Sequence, residues 1–304
     1  MNVNRKIPLI IIVGPTAVGK SAIAEMLTAR GDGVLINADA RQMYRGIEVI
    51  SAAPRVIADA RLYSWKSVDE VYSFAEFVRD ADREIADVWA RGHVPIVVGG
   101  TGLYIDALVQ RFVAPPSVTP EIRARVAMLD AAGAREMLAE IDQAALNTID
   151  VQNPRRVSRA LEVFLQTGTS ITAFGAAEGN LPYAPLWIGV DCARDALHQR
   201  IATRAREMWE GGAVDEVRAL LDAGHTVSEP GMRAIGVAEI TEFLRGDLTA
   251  AAAQQRIIEL TRQYARRQLT WFRRNKSIVW YNSSDEMNIW HSVHDFLQTN
   301  FKQF

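Results

Sequence analysis

Apolar residues over the first hundred positions fall into two alternating rhythms. Ile7–Val13 is an unbroken apolar run, the composition of a strand buried on both faces, and Val94–Val98 repeats it between Gly92 and Gly99. Gly33–Asn37 predicts a short strand between them. The intervening segments switch to a helical period. Lys20–Ala29 reads as a helix, and Phe74, Phe77, Val78, Ala81, Ile85, Val88 and Trp89 lay one apolar stripe along Phe74–Arg91. Strands alternating with helices predict a parallel sheet with helices on both faces and a ligand site at the carboxyl ends of the strands.

The rhythm then breaks. Ala114-Pro115-Pro116-Ser117 and Thr119-Pro120 punctuate the chain, and helical pattern with almost no strand signal follows until the Gly- and Pro-containing stretch Gly175–Pro185. Leu186–Val190 predicts a strand returning to the sheet, ahead of long helices from Ala193 onward. The expected organisation is an α/β core over 1–117 and 183–304, ending in basic helices, with a helical insertion domain over 118–182.

Composition narrows the picture. At 304 residues and 49% apolar, the chain can bury a large core, and its net charge of −2 excludes a uniformly basic nucleic-acid coat. The single Cys192 excludes an intrachain disulfide and a thiol-rich metal site, which suits a reducing, cytoplasmic setting. Five histidines are scattered; His291 and His294, beside Trp290, lack a third ligand and read as surface residues of a terminal helix. Arg5 and Lys6 before the first apolar run imitate a signal peptide, but that run leads directly into a glycine loop without a cleavage site. No stretch approaches the roughly 18 apolar residues that span a membrane, so no membrane partner is expected.

The glycine loop is the strongest chemical signal. Gly14-Pro15-Thr16-Ala17-Val18-Gly19-Lys20-Ser21 fits G-x-x-x-x-G-K-[ST] at every fixed position, between a strand and a helix. Its backbone N–H groups and the helix N-terminus converge on one spot that favours a di- or triphosphate, Lys20 adds a cation, and Ser21 can hold Mg²⁺. The core is therefore expected to be P-loop NTPase-like. After the second strand, Asp39 could orient Mg²⁺ through water, act as a general base, or merely cap the next turn. The third strand ends in Gly99-Gly100-Thr101-Gly102, a tight turn that brings a hydroxyl to the same edge.

Two segments are basic. In Asn153–Val163, Arg155 and Arg159 share a helix face beside Arg156, with no acidic residue at i±4 from either, so phosphate binding competes with a plain solvated face. Thr261–Lys276 carries Arg262, Arg266, Arg267, Arg273, Arg274 and Lys276, with Tyr264, Trp271 and Phe272 interleaved and no acidic residue. Arg262, Arg266 and Arg273 fall on one side, a cationic stripe suited to a nucleic-acid backbone with splayed bases. Helix-end arginines that complement the macrodipole would account for part of it.

In order along the chain, GPTAVGKS (14–21), the Asp39 segment ending in MYRG (43–46), VGGTGLYI (98–105), PRRVSRALEV (154–163), EMWEGGAVDEV (207–217), RAIG (233–236) and TRQYARRQLTWFR (261–273) resemble the tRNA dimethylallyltransferase, or tRNA isopentenyltransferase, family. The resemblance runs over nearly the whole chain. It implies transfer of a dimethylallyl group from dimethylallyl diphosphate to the exocyclic amine of the adenosine 3′ to a tRNA anticodon, with Mg²⁺ as cofactor. It further implies that Asp39 is the base, Thr101 lies near the reacting centre, and residues 14–21 hold the diphosphate. Asp39, Ala40, Arg41, Gln42, Thr101, Arg123, Arg155, Arg156, Val157, Ser158, Arg159 and Arg233 match positions that contact tRNA, and the Arg262, Arg266 and Arg273 stripe would join them.

The chain departs from the family pattern at several places. Ala40 replaces a Ser, Ile50-Ser51-Ala52-Ala53-Pro54 lacks the lysine of Gly-Thr-Ala-Lys-Pro, and Val237 replaces a Tyr. The His-His-Leu-x-Asp element is not recognisable near Arg61–Trp65. Rival readings are a P-loop kinase of small metabolites, prenyl transfer to free adenine nucleotides, and an RNA-binding protein with a vestigial phosphate loop. Nothing in the sequence demands a dimer, so a monomer is expected.

Overall fold

The computed structural model describes residues 6–30, 33–54, 59–176 and 181–301; Arg5 and part of the Gly175–Pro185 stretch lie outside them. The chain divides into two compact units, one of residues 1–109 and 181–304 and one of residues 110–180. The second therefore begins at Gln110 rather than near 118.

In the first unit, β1 (Ile7–Val13), β2 (Gly33–Asn37), β3 (Val94–Val98), β4 (Tyr183–Asp191) and β5 (Val279–Asn282) form one sheet of order β2-β3-β1-β4-β5. Every pairing is parallel. Leu9–Val13 are fully buried at the centre, each such side chain contributing about 1.5–3 kcal/mol of transfer free energy. β4 is longer than the Leu186–Val190 expected from the sequence. Its first residues pair along the whole of β1, Ile7 opposite Tyr183 through Val13 opposite Gly189, and this pairing carries Pro185 into the strand. The β5 strand was not expected: it is a short edge strand with exposed ends, paired with β4 from Ile188 to Asp191.

Helices α1 (Lys20–Arg30), α2 (Glu48–Ser51), α3 (Phe74–Ala90) and α4 (Gly102–Gln110) accompany the first three strands. Ser73 starts α3 with a reciprocal capping box to Glu76, and Phe77, Ala81, Ile85 and Val88 form its buried stripe. The second unit contains α5 (Pro120–Ala127), α6 (Ala131–Ile141), α7 (Gln143–Thr148) and α8 (Pro154–Thr167) around Val126, Leu138, Val157 and Leu161. Asn153 caps α8 ahead of Pro154, and Gly168 ends it in the left-handed conformation. After β4 come α9 (Arg194–Met208), α10 (Val214–Asp222), α11 (Val237–Arg245), α12 (Ala250–Phe272) and α13 (Glu286–Asn300). Of the long helices expected from Ala193 onward, α9 and α10 are joined through a π-type turn at Trp209–Ala213, where Gly212 sits at φ 106°. No helix among the described residues is long and apolar enough to cross a membrane.

Candidate functional site

The functional side chains stand at the carboxyl ends of β1, β2 and β3, which are adjacent in the sheet. Residues 14–21 turn from β1 into α1. Buried Val18 anchors this loop to the core, and Gly14 is required at its start: at φ 149°, a Cβ there would stand 2.3 Å from the Val190 carbonyl of β4. The Lys20 Nζ donates to the Pro15 carbonyl at 2.8 Å. Desolvation lowers the Lys20 pKa to about 8, while the Asp39 carboxylate pulls it up and Arg204 pushes it down. The loop thus holds a desolvated ammonium at its turn into α1, where an anionic ester would favour the charged form.

Asp39 follows β2 and is fixed from below by buried Asn37. The Asp39 amide donates to Asn37 Oδ1 at 2.8 Å, and Asn37 Nδ2 donates to the carbonyls of Asp39 at 3.1 Å and Leu62 at 3.0 Å. Asp39 Oδ1 accepts from the Arg41 amide at 2.9 Å, so the turn-capping reading of this residue is also true. Its Oδ2 lies 3.4 Å from where a Cβ on Gly100 would stand, facing the β3 turn. There Thr101 donates its amide to the Ala38 carbonyl at 3.2 Å, and its Oγ1 accepts from the Ala40 amide at 2.9 Å. Carboxylate and hydroxyl are thereby held by the backbones of neighbouring strand ends.

Two cavities meet at this point. One, of about 620 Å³, is lined by Thr16, Gly19, Lys20, Ser21, Asp39 and Gln42, and across from them by Gln199, Arg200, Thr203, Arg204 and Glu207 of α9. The other, of about 370 Å³, shares Thr16, Ala17, Asp39, Ser51 and Arg204 with the first. It adds Ala40, Arg41, Thr101, Arg233, Tyr264 and Arg267 above an apolar floor that includes Ile201, Met208 and Ile257. Arg204 also approaches the Ala52 carbonyl at 3.4 Å, and Arg200 donates to the Val18 carbonyl at 2.8 Å and to Ser283 Oγ at 2.9 Å. The sequence reading missed this face of α9. Its signal was the polar series 199, 200, 203, 204 and 207 at helical spacing, which resembles an ordinary solvated face.

The remaining expected residues are distributed unevenly. Arg41 donates to the Pro230 carbonyl at 2.6 Å, Gln42 to the carbonyls of Ser51 and Ala52, and Arg233 to the Ser228 carbonyl at 2.9 Å. The expected cationic stripe on α12 is only partly present. Arg266 is exposed, but Arg262 Nε is buried without a hydrogen-bond partner and Arg273 pairs with Asp191 at 3.1 Å. The aromatics of that segment turn inward: Tyr264 enters the smaller cavity, Trp271 Nε1 donates to Asp106 Oδ2 at 2.8 Å, and Phe272 is core. In the second unit Arg123, Arg155 and Arg156 are exposed and Ser158 is half-buried. Val157 instead packs in the core of that unit, and Arg159 meets Glu162 at 3.3 Å, a partner at i+3 that the i±4 reading did not consider.

A divalent cation fits the donor set in one way. Among the described residues no group of three or more His, Cys, Asp or Glu could hold a metal ion. The Ser21 hydroxyl and the Asp39 carboxylate do line the larger cavity, and Mg²⁺ typically takes one or two protein oxygens, the rest of its shell coming from substrate phosphates and water.

A parallel sheet whose strand-end loops carry a P-loop sequence, a carboxylate and a hydroxyl to the junction of two cavities is the frame of a P-loop α/β enzyme. The chain belongs to the IPP transferase family, whose model matches residues 42–275. The tRNA dimethylallyltransferase of Thermomicrobium roseum is 39% identical over 289 residues, covering 92% of this chain and 87% of the relative. That of Geobacter sulfurreducens is 38% identical over 285 residues, covering 90% and 92%. Among solved structures, the full-length tRNA isopentenylpyrophosphate transferase from Bacillus halodurans superposes with a TM-score of 0.71 at 32% identity, over 98% of both chains. A eukaryotic dimethylallyltransferase acting on tRNA shares the fold with a TM-score of 0.80 at 23% identity, over 98% of this chain and 80% of that one.

Proposed function

We propose that this chain is a tRNA dimethylallyltransferase: it moves the dimethylallyl group of dimethylallyl diphosphate to the exocyclic N6 of the adenosine 3′ to the anticodon and releases diphosphate. The observation that carries this reading is the position of Asp39 in the wall of both cavities, one lined by the phosphate loop and the other by Thr101 and an apolar floor.

In this reading the diphosphate lies on the loop N–H groups with Lys20, and the α9 arginines face it across the cavity. The C–O bond to the diphosphate breaks as the C–N bond to the adenine amine forms. Charge accumulating on the leaving oxygens is met by Lys20, Arg204 and the helix N-terminus of α1. Mg²⁺, held by Ser21 and the diphosphate, would neutralise the same charge. An adenine amine is a weak nucleophile whose proton becomes acidic only as the new bond forms, so a carboxylate is a sufficient base. Asp39 accepts that proton on Oδ2, its Oδ1 being held by Arg41. Thr101 sits between carboxylate and acceptor. The target base must leave the anticodon stack to reach the smaller cavity. The exposed Arg123, Arg155, Arg156, Arg233 and Arg266 would contact the tRNA backbone.

The enzyme would act as a cytoplasmic monomer. The test is incubation with labelled dimethylallyl diphosphate and either total tRNA or AMP. Label in tRNA is expected; label in AMP alone would move the acceptor to free nucleotides, and label in neither would return the site to a kinase.

A further inference from the structure

Three side chains of α12 grip three consecutive residues of the β3 turn. Gln268, almost fully buried, donates from Nε2 to the Gly100 carbonyl at 2.9 Å. Tyr264 lies beside Thr101 in the wall of the smaller cavity. Trp271 covers Gly102 so closely that a Cβ there would stand 2.2 Å from its ring, and its indole N–H is tied to Asp106 of α4. Gly100 is equally constrained, because a Cβ would stand 2.1 Å from Gln268 Nε2.

Gln268 also reaches the other half of the site. Its Oε1 accepts the backbone amide of Thr16, inside the phosphate loop, at 2.8 Å. One amide side chain thus spans the loop that would hold the leaving group and the turn that carries Thr101. An amide suits this task, because it offers an acceptor and a donor at one end of one side chain. Gly100 is buried, so its carbonyl lacks a replacement partner when Gln268 is removed, and the half-buried Thr16 amide loses the contact that ties it to the same side chain.

We propose that Gln268 is a positioning residue for prenyl transfer, holding the phosphate loop and the Thr101 turn in fixed register across the reacting centre. This rests on the transferase reading above. A misplacement of about 1 Å between reacting groups can cost about 10²-fold in rate, and no hydrogen bond between residues 16 and 100–101 themselves appears among the described contacts to hold that separation.

The test uses two variants of the full chain. Gln268→Met keeps length and apolar bulk and removes both hydrogen bonds. It is expected to lower kcat by roughly 10- to 10²-fold and to weaken binding of inorganic diphosphate in Mg²⁺ buffer, while the KM for tRNA stays near native. Gln268→Glu tests the same idea through pH. Ionised, the carboxylate accepts from Thr16 but repels the Gly100 carbonyl; protonated, it is an acceptor and a donor again. Burial raises a carboxyl pKa, so the activity of Gln268→Glu relative to the native chain is expected to climb as pH falls from about 8 to about 6. A native-like kcat and diphosphate affinity in Gln268→Met would overturn the proposal. So would a flat relative pH profile in Gln268→Glu, which stands as the test if the Met variant fails to fold. Failure of the transferase reading is a separate result, seen as no transfer by the native chain, and the diphosphate titration reads Gln268 without the reaction.

Discussion

Thr101 Oγ1 accepts the backbone amide hydrogen of Ala40 at 2.9 Å, so the hydroxyl at the end of β3 is fastened to the residue after Asp39 by main chain rather than by side chain. This explains why Ala40 can stand where the family pattern has Ser. Position 40 contributes its N–H, which every residue but proline supplies. Thr101→Val keeps the shape and deletes the acceptor, leaving a part-buried amide unpaired. It is expected to cost about 1–3 kcal/mol of stability by thermal unfolding and to lower kcat by about tenfold or more. Thr101→Ser, which keeps the hydroxyl, should retain most of both.

The pKa of Lys20 ties ligand affinity to pH. In the free protein it lies near 8, against 10.5 in the unfolded chain, with desolvation as the main cause. Between those two values the unfolded chain binds the extra proton, so stability contributed by this group rises with pH across that window and its cost is fully present below about 8. A bound diphosphate favours the charged form and reverses the shift. Diphosphate affinity should therefore decline as pH rises above about 8, with proton uptake on binding there, measurable by calorimetry in buffers of different ionisation enthalpy. Lys20→Met should raise the Tm of the free protein at neutral pH and abolish this pH dependence.

The arginines of α12 are not equivalent. Arg266 is exposed, whereas Arg273 is paired with Asp191. Arg266→Ala is expected to weaken tRNA binding and to reduce the slope of log affinity against log salt by about one. Arg273→Ala, which removes a surface ion pair of about 0–1 kcal/mol, should change that slope much less. Equal slopes for the two variants would contradict the assignment.

The first three strands of the sheet were legible because uninterrupted runs such as Ile7–Val13 and Val94–Val98, bounded by glycines, have few alternatives to a buried parallel strand. The edge strand β5 was not read from the sequence: its apolar run, residues 278–281, is only four residues long, closely follows the basic stretch ending in Lys276, and pairs along one side only. The phosphate loop, Asp39 and Thr101 could be read because each lies immediately after a strand, and chain position alone places strand ends together. The α9 wall and Gln268 could not be read in this way. Gln268 meets Thr16 across 252 positions of sequence, and within TRQYARRQLTWFR the arginines, Arg267 in the cavity wall and exposed Arg266 among them, draw attention ahead of it. Basic residues advertise themselves; a buried amide does not.

In the proposed reaction Asp39, at the junction of the two cavities, takes the proton from the acceptor amine. The most direct measurement is single-turnover transfer of labelled dimethylallyl to tRNA by Asp39→Ala, alongside the affinity of the same variant for tRNA. Near-native tRNA binding is expected, with a transfer rate lower by roughly 10²-fold or more. Near-native transfer by this variant would contradict that role of Asp39.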